Sequence, residues 1–552
     1  MRQVTSDAAA EHGPAPHDGG QPRRETLASL ALFAIALSAY LAFLTAHYSY
    51  DAVASGLLLY QWMATGHVEQ LFHRYHVLYL PVAAGAEMIL SRIGLEVDPL
   101  TLLQMLNAPF AAGCVALYFR LARAFGIDGP LSAMLGMLLG GGFSAWYYAT
   151  NGESYPISIF FLLLAFLSAA RMPDGASSAR SCVPGAWLGL ATGSHGTCLL
   201  ALPGLVVATW PRGRDRARYS RVAAMIVTAG LVIGLPYIVR YLLIQPTDPV
   251  SGLSADASAF ASEEGWSIRP HLLDQWRGLA RSMAPTDWPS LPSSHPLLAR
   301  ASNLGLLALT LLPLALLFGV DRARRRPVLA VAVWAAVSIV FFSTYYAGSP
   351  KFASYQWAPL LLLVGLALQQ VARRRSFRLA TRLILAAVVG TTLFCSLDLV
   401  RRQTDEASNP HLARARAIAR LTEPGDLVVH LGSGDNQYQK VYTPYFALRR
   451  SLDLEQYFDP ARATAGQSMQ ALEGGLASAA AGPGRIVVLS DAVEPGAASR
   501  EFEKAHGLQE GSISRFFAAH RPQLLADNPA AGRVWLLTAP ASPQPEVRPA
   551  AP

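Results

Sequence analysis

Residues 212–244 have the sequence RGRDRARYSRVAAMIVTAGLVIGLPYIVRYLLI, in which a basic run leads directly into a long apolar stretch. About 20 consecutive apolar residues are enough for a helix that spans a bilayer. Short cytoplasmic loops of membrane proteins hold an excess of lysine and arginine. The stretch therefore predicts a membrane-spanning helix that begins on the cytoplasmic side.

The same alternation of basic clusters and apolar segments recurs between residues 1 and 402. Arginines gather in clusters in every second gap between the apolar segments, and the remaining gaps are almost free of such clusters. The clusters are Arg23 with Arg24, Arg120 with Arg123, Arg171 with Arg180, and the runs within residues 212–218, 322–326 and 373–378. By the same rule, the alternation sorts the chain into a cytoplasmic and an extracytoplasmic face.

The composition also indicates a membrane protein. Hydrophobic residues make up 52% of the 552 residues and charged residues only 15%, whereas soluble proteins average about 25% charged residues. The net charge of +8 comes largely from basic runs that lie against membrane ends without interleaved aromatic residues. This pattern disfavours nucleic-acid binding, and the lipid bilayer is the predicted partner.

The apolar segments predict about eleven helices. Nine spans lie near residues 27–47, 99–118, 130–149, 155–171, 221–244, 301–319, 327–346, 356–371 and 380–401. Residues 75–92 and 184–210 are ambiguous: either the first lies along the surface and the second is a hairpin of two short helices, or each crosses once. The first topology is favoured because it places four of the disputed arginines on the cytoplasmic side, whereas the second places only one of them there, Arg92.

This topology divides the chain into four parts. Residues 1–24 are predicted to be a disordered cytoplasmic tail, and residues 25–402 the membrane domain, with outer loops at 48–98 and 245–300. Residues 403–540 are predicted to be a small extracytoplasmic α/β domain with strands near 426–432, 485–490 and 533–538. Residues 541–552 are predicted to be a second disordered tail.

Polar residues collect on the extracytoplasmic face. Asp51 directly follows the first span, and Glu153 lies between two spans. Each has an ordinary interpretation, since Asp51 suits the N-cap of a helix and Glu153 suits an exposed loop. Their occurrence at membrane ends on one face instead favours a site in which carboxylates accept a proton or orient hydroxyl groups.

Four basic residues belong to the same face. His73 and His76 are three residues apart and are expected to share a helix face, and Arg74 between them offers a planar donor fork for phosphate. Lys351 is one of only three lysines in the chain and is predicted to neutralise a lipid phosphate. The alternative for each is an interfacial anchor.

No cofactor is predicted. A divalent metal held by His73, His76 and Asp51 is conceivable, but an HxxH pattern alone is weak support. The four cysteines show no CxxC or Cys/His spacing, so neither a structural zinc site nor a disulfide framework is indicated. His195, between glycines in the middle of residues 184–210, is either a packed turn residue or a site residue.

The order of these features resembles the GT-C superfamily of polytopic glycosyltransferases, and most closely its TMEM260-type protein O-mannosyltransferase family with bacterial relatives. The resemblance extends from about residue 27 to 455 and is most specific at Glu153 and His195. It rests on YDA at 50–52, HVLYLP at 76–81, LNAP at 106–109, NGESYP at 151–156, GLATGSHGT at 189–197, and GDLVV at 425–429 with GDN at 434–436. Ala54 stands where the family pattern has a glutamate.

The resemblance implies an enzyme of a bacterial inner membrane that moves a sugar from a polyprenyl-phosphate donor to a hydroxyl of a protein or glycan, with inversion. Asp51 would be the general base, and Arg74, His76 and Lys351 would stabilise the phosphate charge. Glu153 and His195 would shape the sugar pocket or support Asp51, and His73, Asn107 and Tyr155 would help to bind the donor. Two alternatives stay open: a secondary transporter and an inactive scaffold.

Overall fold

The computed structural model describes residues 20–173, 175–210, 217–244, 266–267, 269–288, 291–316, 325–432, 437–458 and 463–537. The predicted tail at 541–552 lies outside these ranges, as does most of the tail at 1–24. Residues 20–24 are helical and belong to the first helix, so the predicted tail extends too far there.

The described part of the chain before residue 404 is mainly helical. They are α1 Gly20–Ala42, α2 Tyr50–Thr65, α3 Tyr79–Arg92, α4 Pro99–Ala124, α5 Gly129–Gly141, α6 Phe143–Ala149, α7 Tyr155–Ala170, α8 Ser178–Ser194, α9 Leu202–Thr209, α10 Ala217–Ile244, α11 Leu272–Met283, α12 Pro296–Leu316, α13 Arg325–Thr344, α14 Ala353–Ala372 and α15 Arg375–Gln403. Each of the eleven predicted helices has a counterpart among them. Within the described ranges, six helices are long and apolar enough to cross a membrane, and four more are apolar but shorter.

Two predictions about the helices were wrong. Residues 130–149 do not form one helix, because Gly142 adopts an extended conformation (ψ 141°) and separates α5 from α6. The predicted outer loop at 48–98 contains the 16-residue helix α2. At about 1.5 Å per residue, α2 is about 24 Å long, which is shorter than the hydrocarbon core.

The local structure of the two ambiguous stretches is the one expected from the favoured topology, whose orientation in the membrane stays a prediction. Helix α3 buries one face and exposes Val82, Met88 and Ile89 on the other, as expected for a helix lying along a membrane surface. Residues 184–210 form a broken hairpin in which α8 ends at Ser194, a 3₁₀ turn covers Gly196–Ala201, and α9 follows.

Arginines of the membrane domain form ion pairs at one end of the helix bundle. Arg123, in the last turn of α4, forms an ion pair of 2.7 Å with Glu25 in α1. Arg382 in α15 pairs with Asp128, the N-cap of α5, at 3.1 Å. The ends predicted to be cytoplasmic are therefore neighbours in the fold, and Asp51, Glu153 and Lys351 lie at the ends of helices on the opposite side.

The C-terminal region forms a five-stranded sheet with helices. Its strands are β3 Leu427–His430, β4 Arg450–Asp453, β5 Ile486–Leu489, β6 Gln523–Asn528 and β7 Gly532–Leu537, and its helices are α16 Pro410–Leu421, α17 Gln439–Tyr442, α18 Ala465–Ala480, α19 Ser490–Val493, α20 Ala497–Ala505 and α21 Ser512–Ala519. The strand order is β4-β3-β5-β7-β6, with β4, β3 and β5 parallel and the other pairs antiparallel. Strands β1 Asp287–Trp288 and β2 Leu291–Pro292 form a separate short hairpin.

The α/β domain is thus confirmed, and three of its strands were predicted. Asp426 has the structural role that its turn position suggested, since its carboxylate accepts hydrogen bonds from Arg485 and from the backbone N–H of Glu423. Asp435 and Asn436, which also belong to the resemblance, lie outside the described residues.

Helices α8 and α10 pack closely because glycines face the contact. A Cβ atom built on Gly185 would lie 2.4 Å from the backbone oxygen of Met225, and one on Gly189 would lie 2.6 Å from the Cβ of Val232. Small residues allow such close approach in membrane proteins, where dispersion between helices drives their association.

We therefore expect Gly185→Ala to lower the free energy of unfolding by about 1–3 kcal/mol, the usual cost of overpacking. The matched control is Gly230→Ala on α10, where a Cβ meets nothing within 4 Å. Thermal unfolding of the purified variants in detergent measures both. Equal melting temperatures would contradict the packing account.

Candidate active site

A cavity of about 200 Å³ lies at the end of the bundle opposite the ion pairs of Arg123 and Arg382. Asp51, Glu153 and Lys351 line it from the membrane domain, and Asn409, His411 and Tyr438 line it from the C-terminal region. The remaining lining residues are His47, Tyr48, Ser49, Tyr50, Tyr147 and Tyr148. The fold brings three predicted site residues, Asp51, Glu153 and Lys351, into one cavity, although Lys351 is 300 positions from Asp51.

Asp51 lies in the first turn of α2 and is not its N-cap. Ser49 is the N-cap, and its hydroxyl accepts a hydrogen bond of 3.1 Å from the backbone N–H of Ala52. The Asp51 carboxylate forms a direct ion pair with the Lys351 ammonium. Burial favours the neutral acid, but the charge and hydrogen bond of Lys351 outweigh it, so the pKa of Asp51 lies below its ordinary value.

Glu153 differs from Asp51 in its environment. It lies in the turn between α6 and α7 and is only 4% exposed. Burial raises its pKa from 4.5 to about 7, although Lys351 and a hydrogen bond with Ser49 act in the opposite direction. A carboxyl group with this pKa is partly protonated at neutral pH and can donate or accept a proton.

Two amide side chains on α4 hold the Glu153 turn in place. The Asn107 amide nitrogen donates to the backbone oxygens of Asn151 (2.5 Å) and Glu153 (2.7 Å). One turn earlier, the Gln104 amide nitrogen donates to the backbone oxygens of Thr150 and Thr45, both at 2.7 Å. Asn107 is fully buried. Its geometry therefore favours a role in positioning the turn over the predicted direct contact with the sugar donor.

Hydrogen bonds from other elements hold the segment that leads to Asp51 in place. The backbone oxygens of four consecutive residues, 45–48, each accept a hydrogen bond from a side chain of a different element. The donors are Gln104 of α4 to Thr45 (2.7 Å), Asn409 before α16 to Ala46 (2.7 Å), Tyr147 of α6 to His47 (2.9 Å) and Tyr442 of α17 to Tyr48 (2.6 Å).

His73 and His76 come together, but not on a helix face as predicted. They form an isolated antiparallel bridge in the turn before α3, with their rings stacked at 5.2 Å between centroids. The Nδ1 atom of His76 lies 3.1 Å from the hydroxyl oxygen of Ser154, next to Glu153. Burial lowers the pKa of His76 to about 3, so it is a neutral hydrogen-bonding group and not a cation.

Arg74 lies in the same turn, with its guanidinium 4.6 Å from the ring centroid of Tyr75. Helix α10 holds this turn through two hydrogen bonds: Tyr237 donates to the backbone oxygen of Arg74 (2.8 Å) and Arg240 to that of Phe72 (3.0 Å). Neither His73 nor Arg74 lines the cavity. The prediction that they bind the sugar donor therefore applies to the surface next to the cavity and not to the cavity itself.

His195 lies behind the cavity at the break of the hairpin. Its Nδ1 atom is 2.7 Å from the Thr197 hydroxyl oxygen, and its ring packs against His76 (4.7 Å), Tyr155 (4.9 Å) and Tyr355 (5.3 Å). Burial keeps its pKa well below the ordinary value. Tyr155 does not line the cavity but packs behind its lining residue Tyr148, at 4.7 Å between ring centroids. The contacts therefore indicate that His195 supports Tyr155, which is 2% exposed.

Several residues of the site were not predicted from the sequence. His47, Tyr50, Tyr147, Tyr148, His411 and Tyr438 line the cavity, and Gln104 positions two of its loops. A glutamine within an apolar span was a usable signal for Gln104, because polar groups inside membrane helices are costly and mark sites. In the described ranges, no group of three or more His, Cys, Asp or Glu side chains is placed to hold a metal ion.

Comparison with known proteins gives structural matches only. No protein-family model matches the chain, and no curated protein does. The structure of ArnT from Cupriavidus metallidurans bound to undecaprenyl phosphate has 16% sequence identity and a TM-score of 0.53, covering 95% of this chain and 99% of that one. Its apo structure gives a TM-score of 0.54 at 16% identity, covering 94% and 97%.

The apo oligosaccharyltransferase of Archaeoglobus fulgidus has 12% identity and a TM-score of 0.50, covering 93% of this chain and 74% of that one. These matches cover 93–95% of this chain. The chain has a GT-C-type fold. At such identities the GT-C likeness establishes the architecture, and the TMEM260-type assignment remains a prediction.

We expect Asn107→Ala to lower the free energy of unfolding by about 1–3 kcal/mol, because two buried backbone oxygens lose their donor. The control is Met105→Ala on the same helix, at a side chain that is 47% exposed. Thermal unfolding compares the two variants. A smaller loss for Asn107→Ala than for Met105→Ala would contradict the positioning role.

The raised pKa of Glu153 makes stability depend on pH. The folded state binds a proton more tightly than the unfolded chain, so the stabilisation is present below about pH 4.5 and is lost as the pH rises through about 7. Relative to Glu153→Gln, which does not titrate, wild-type stability should therefore fall across this window. Parallel melting-temperature profiles of the two proteins between pH 5 and 8 would contradict the raised pKa of Glu153.

Proposed function

We propose that the protein is a membrane glycosyltransferase that moves a sugar from a polyprenyl-phosphate donor to an acceptor hydroxyl. The observation that carries the proposal is the single cavity, in a GT-C-type fold, that contains an ionised Asp51, a largely buried Glu153 and the Lys351 ammonium. A base, a second carboxyl group and a cation within one cavity are the groups that displacement of a phosphate leaving group requires.

Asp51 is the proposed general base. In the free protein its carboxylate is paired with Lys351, which lowers its basicity. A donor phosphate near Lys351 would compete for the ammonium and would leave Asp51 a stronger base when the donor is bound. Asp51 would then take the acceptor proton as the hydroxyl oxygen attacks the anomeric carbon, and the polyprenyl phosphate would leave from the opposite side with inversion.

The remaining residues have supporting roles in this proposal. Lys351 would neutralise the leaving phosphate, and Arg74 would contact it from the turn before α3, where its guanidinium is half-buried. Glu153 would hydrogen-bond sugar hydroxyls, and His73, His76, Tyr155 and His195 would shape the wall on the donor side. A mannosyl donor and a protein acceptor are the finer proposal, and it rests on the TMEM260-type motifs.

The proposed cavity opens on the extracytoplasmic face of a bacterial inner membrane, with the N-terminus in the cytoplasm and the C-terminus outside. The arginine pairs at the opposite end of the bundle support this orientation, because arginine-rich ends remain in the cytoplasm.

We expect Asp51→Asn to reduce transfer at least a hundredfold, because an amide cannot accept the proton. The assay incubates the purified protein with a radiolabelled polyprenyl-phosphate sugar and an acceptor extract and measures release of unlabelled carrier and incorporation of label. The control is Glu69→Gln, a carboxylate outside the cavity that interacts with His67.

Retained activity in Asp51→Asn would remove Asp51 as the base. Lys351→Gln should raise the KM for the donor as well as lower kcat, since it removes charge that binds the phosphate. Passage of the labelled donor across proteoliposomes without carrier release would instead favour the transporter alternative.

A further inference from the structure

A second, smaller cavity lies directly behind the candidate active site. This inner cavity has a volume of about 30 Å³ and is enclosed by residues of α1, α4, α5, α6, α7 and α14. Among the described residues, Tyr148 alone lines both the inner cavity and the cavity that contains Asp51. The side chain of Tyr148 therefore forms the partition between the two spaces, and its removal would join them.

The walls of the inner cavity are mainly apolar. Ala111, Leu139 and Ile159 are among the residues that line it. A water molecule occupies about 10–15 Å³ on this measure and needs two to four polar partners. The inner cavity thus has room for about two water-sized groups, but its walls suit an apolar group better than water.

Two tyrosines of the inner cavity differ in how their hydroxyl groups are satisfied. The Tyr40 hydroxyl donates to the backbone oxygen of Gly140 at 2.9 Å. The Tyr155 hydroxyl is buried and has no hydrogen-bond partner within the described residues. Buried polar groups normally have a partner, so the Tyr155 hydroxyl is a donor that can serve an acceptor oxygen placed beside it.

Tyr148 lies on the side of the active-site cavity where the donor sugar is proposed to bind. It belongs to α6, which leads into the turn that contains Glu153, the proposed partner of the sugar hydroxyls. Tyr148 is also close enough to Lys351 for the two side chains to interact electrostatically. Because Lys351 is proposed to neutralise the phosphate, the sugar atoms near the anomeric carbon, including the C2 substituent, would lie beside Tyr148.

We propose that Tyr148 determines which donor sugar the protein accepts, an inference that rests on the proposed function. Its ring excludes the acetamido group of a 2-acetamido sugar and leaves room for a hydroxyl group at C2. An acetamido group has a methyl group that suits the apolar inner cavity and a carbonyl oxygen that can accept from Tyr155. Without the ring of Tyr148, this group would enter the joined space.

The test uses two pairs of polyprenyl-phosphate donors in the carrier-release assay, mannose with N-acetylmannosamine and glucose with N-acetylglucosamine. The sugars of each pair differ only at C2. Wild type should have a kcat/KM at least about tenfold higher for the sugar with the C2 hydroxyl, the usual discrimination by a filled pocket. Tyr148→Ala should remove this preference, and Tyr148→Phe, which keeps the ring, should retain it.

Two further variants test the role of the inner cavity. Tyr155→Phe in the Tyr148→Ala background removes the hydroxyl donor and should restore about a threefold preference for the C2 hydroxyl, the value of one hydrogen bond. Tyr60→Ala changes a side chain of α2 that is 44% exposed and lies outside both cavities, and should behave as wild type. If Tyr148→Ala does not fold, Tyr148→Leu takes its place.

Transfer with the same donor ratio in wild type and Tyr148→Ala would overturn the proposal, as would a wild-type preference for the acetamido sugars. Release of carrier from none of the four donors would count against the proposed function instead. The specificity of Tyr148 is then measured by binding alone, as the shift of the melting temperature with each donor. The acetamido donors should stabilise Tyr148→Ala more than wild type, and equal shifts would refute the role of Tyr148.

Discussion

Four consecutive backbone oxygens, at residues 45–48, determine where Asp51 lies. A short segment between a membrane helix and α2 has no secondary structure of its own to satisfy these acceptors, and an unsatisfied buried acceptor costs about 1–3 kcal/mol. Gln104, Asn409, Tyr147 and Tyr442 each supply one donor. Because the donors come from four different elements, the segment acquires a fixed path only when the membrane helices and the C-terminal region are both folded.

The helices could be predicted from the sequence because each apolar span carries its own signal. The site could be predicted only in part, since its contacts join distant positions. Glu153 and Asp51 were recognised by motif and by location, but the ion pair with Lys351 joins residues 300 positions apart. Helix α2 was missed because YDAVASGLLLYQWMAT directly follows an apolar span and is too short to span by itself. The roles of Asn409 and Tyr438 depend on how the C-terminal region docks, which no local pattern shows.

The two carboxyl groups of the cavity show how one fold separates the functions of chemically similar residues. Asp51 has a cation in direct contact and remains ionised. Glu153 is more deeply buried, and burial outweighs the attraction of the same lysine. Pairs of titratable groups with diverging pKa values are common at catalytic sites. The difference here results from the direct contact of Lys351 with Asp51, because burial is the largest influence on both carboxyl groups.

The C-terminal region is a structural part of this site and not an appended module. His411 stacks on Tyr438 at 4.0 Å between ring centroids, and Tyr438 meets the ring of Tyr50, the residue before Asp51, edge to face at 6.4 Å. The same region donates hydrogen bonds to the backbone oxygens of Ala46 and Tyr48. If it moved away from the membrane domain, the cavity would lose one wall and the approach to Asp51 would lose two of its four donors. The position of Asp51 and the docking of the C-terminal region are therefore thermodynamically coupled, and a molecule that binds between the two regions would stabilise both.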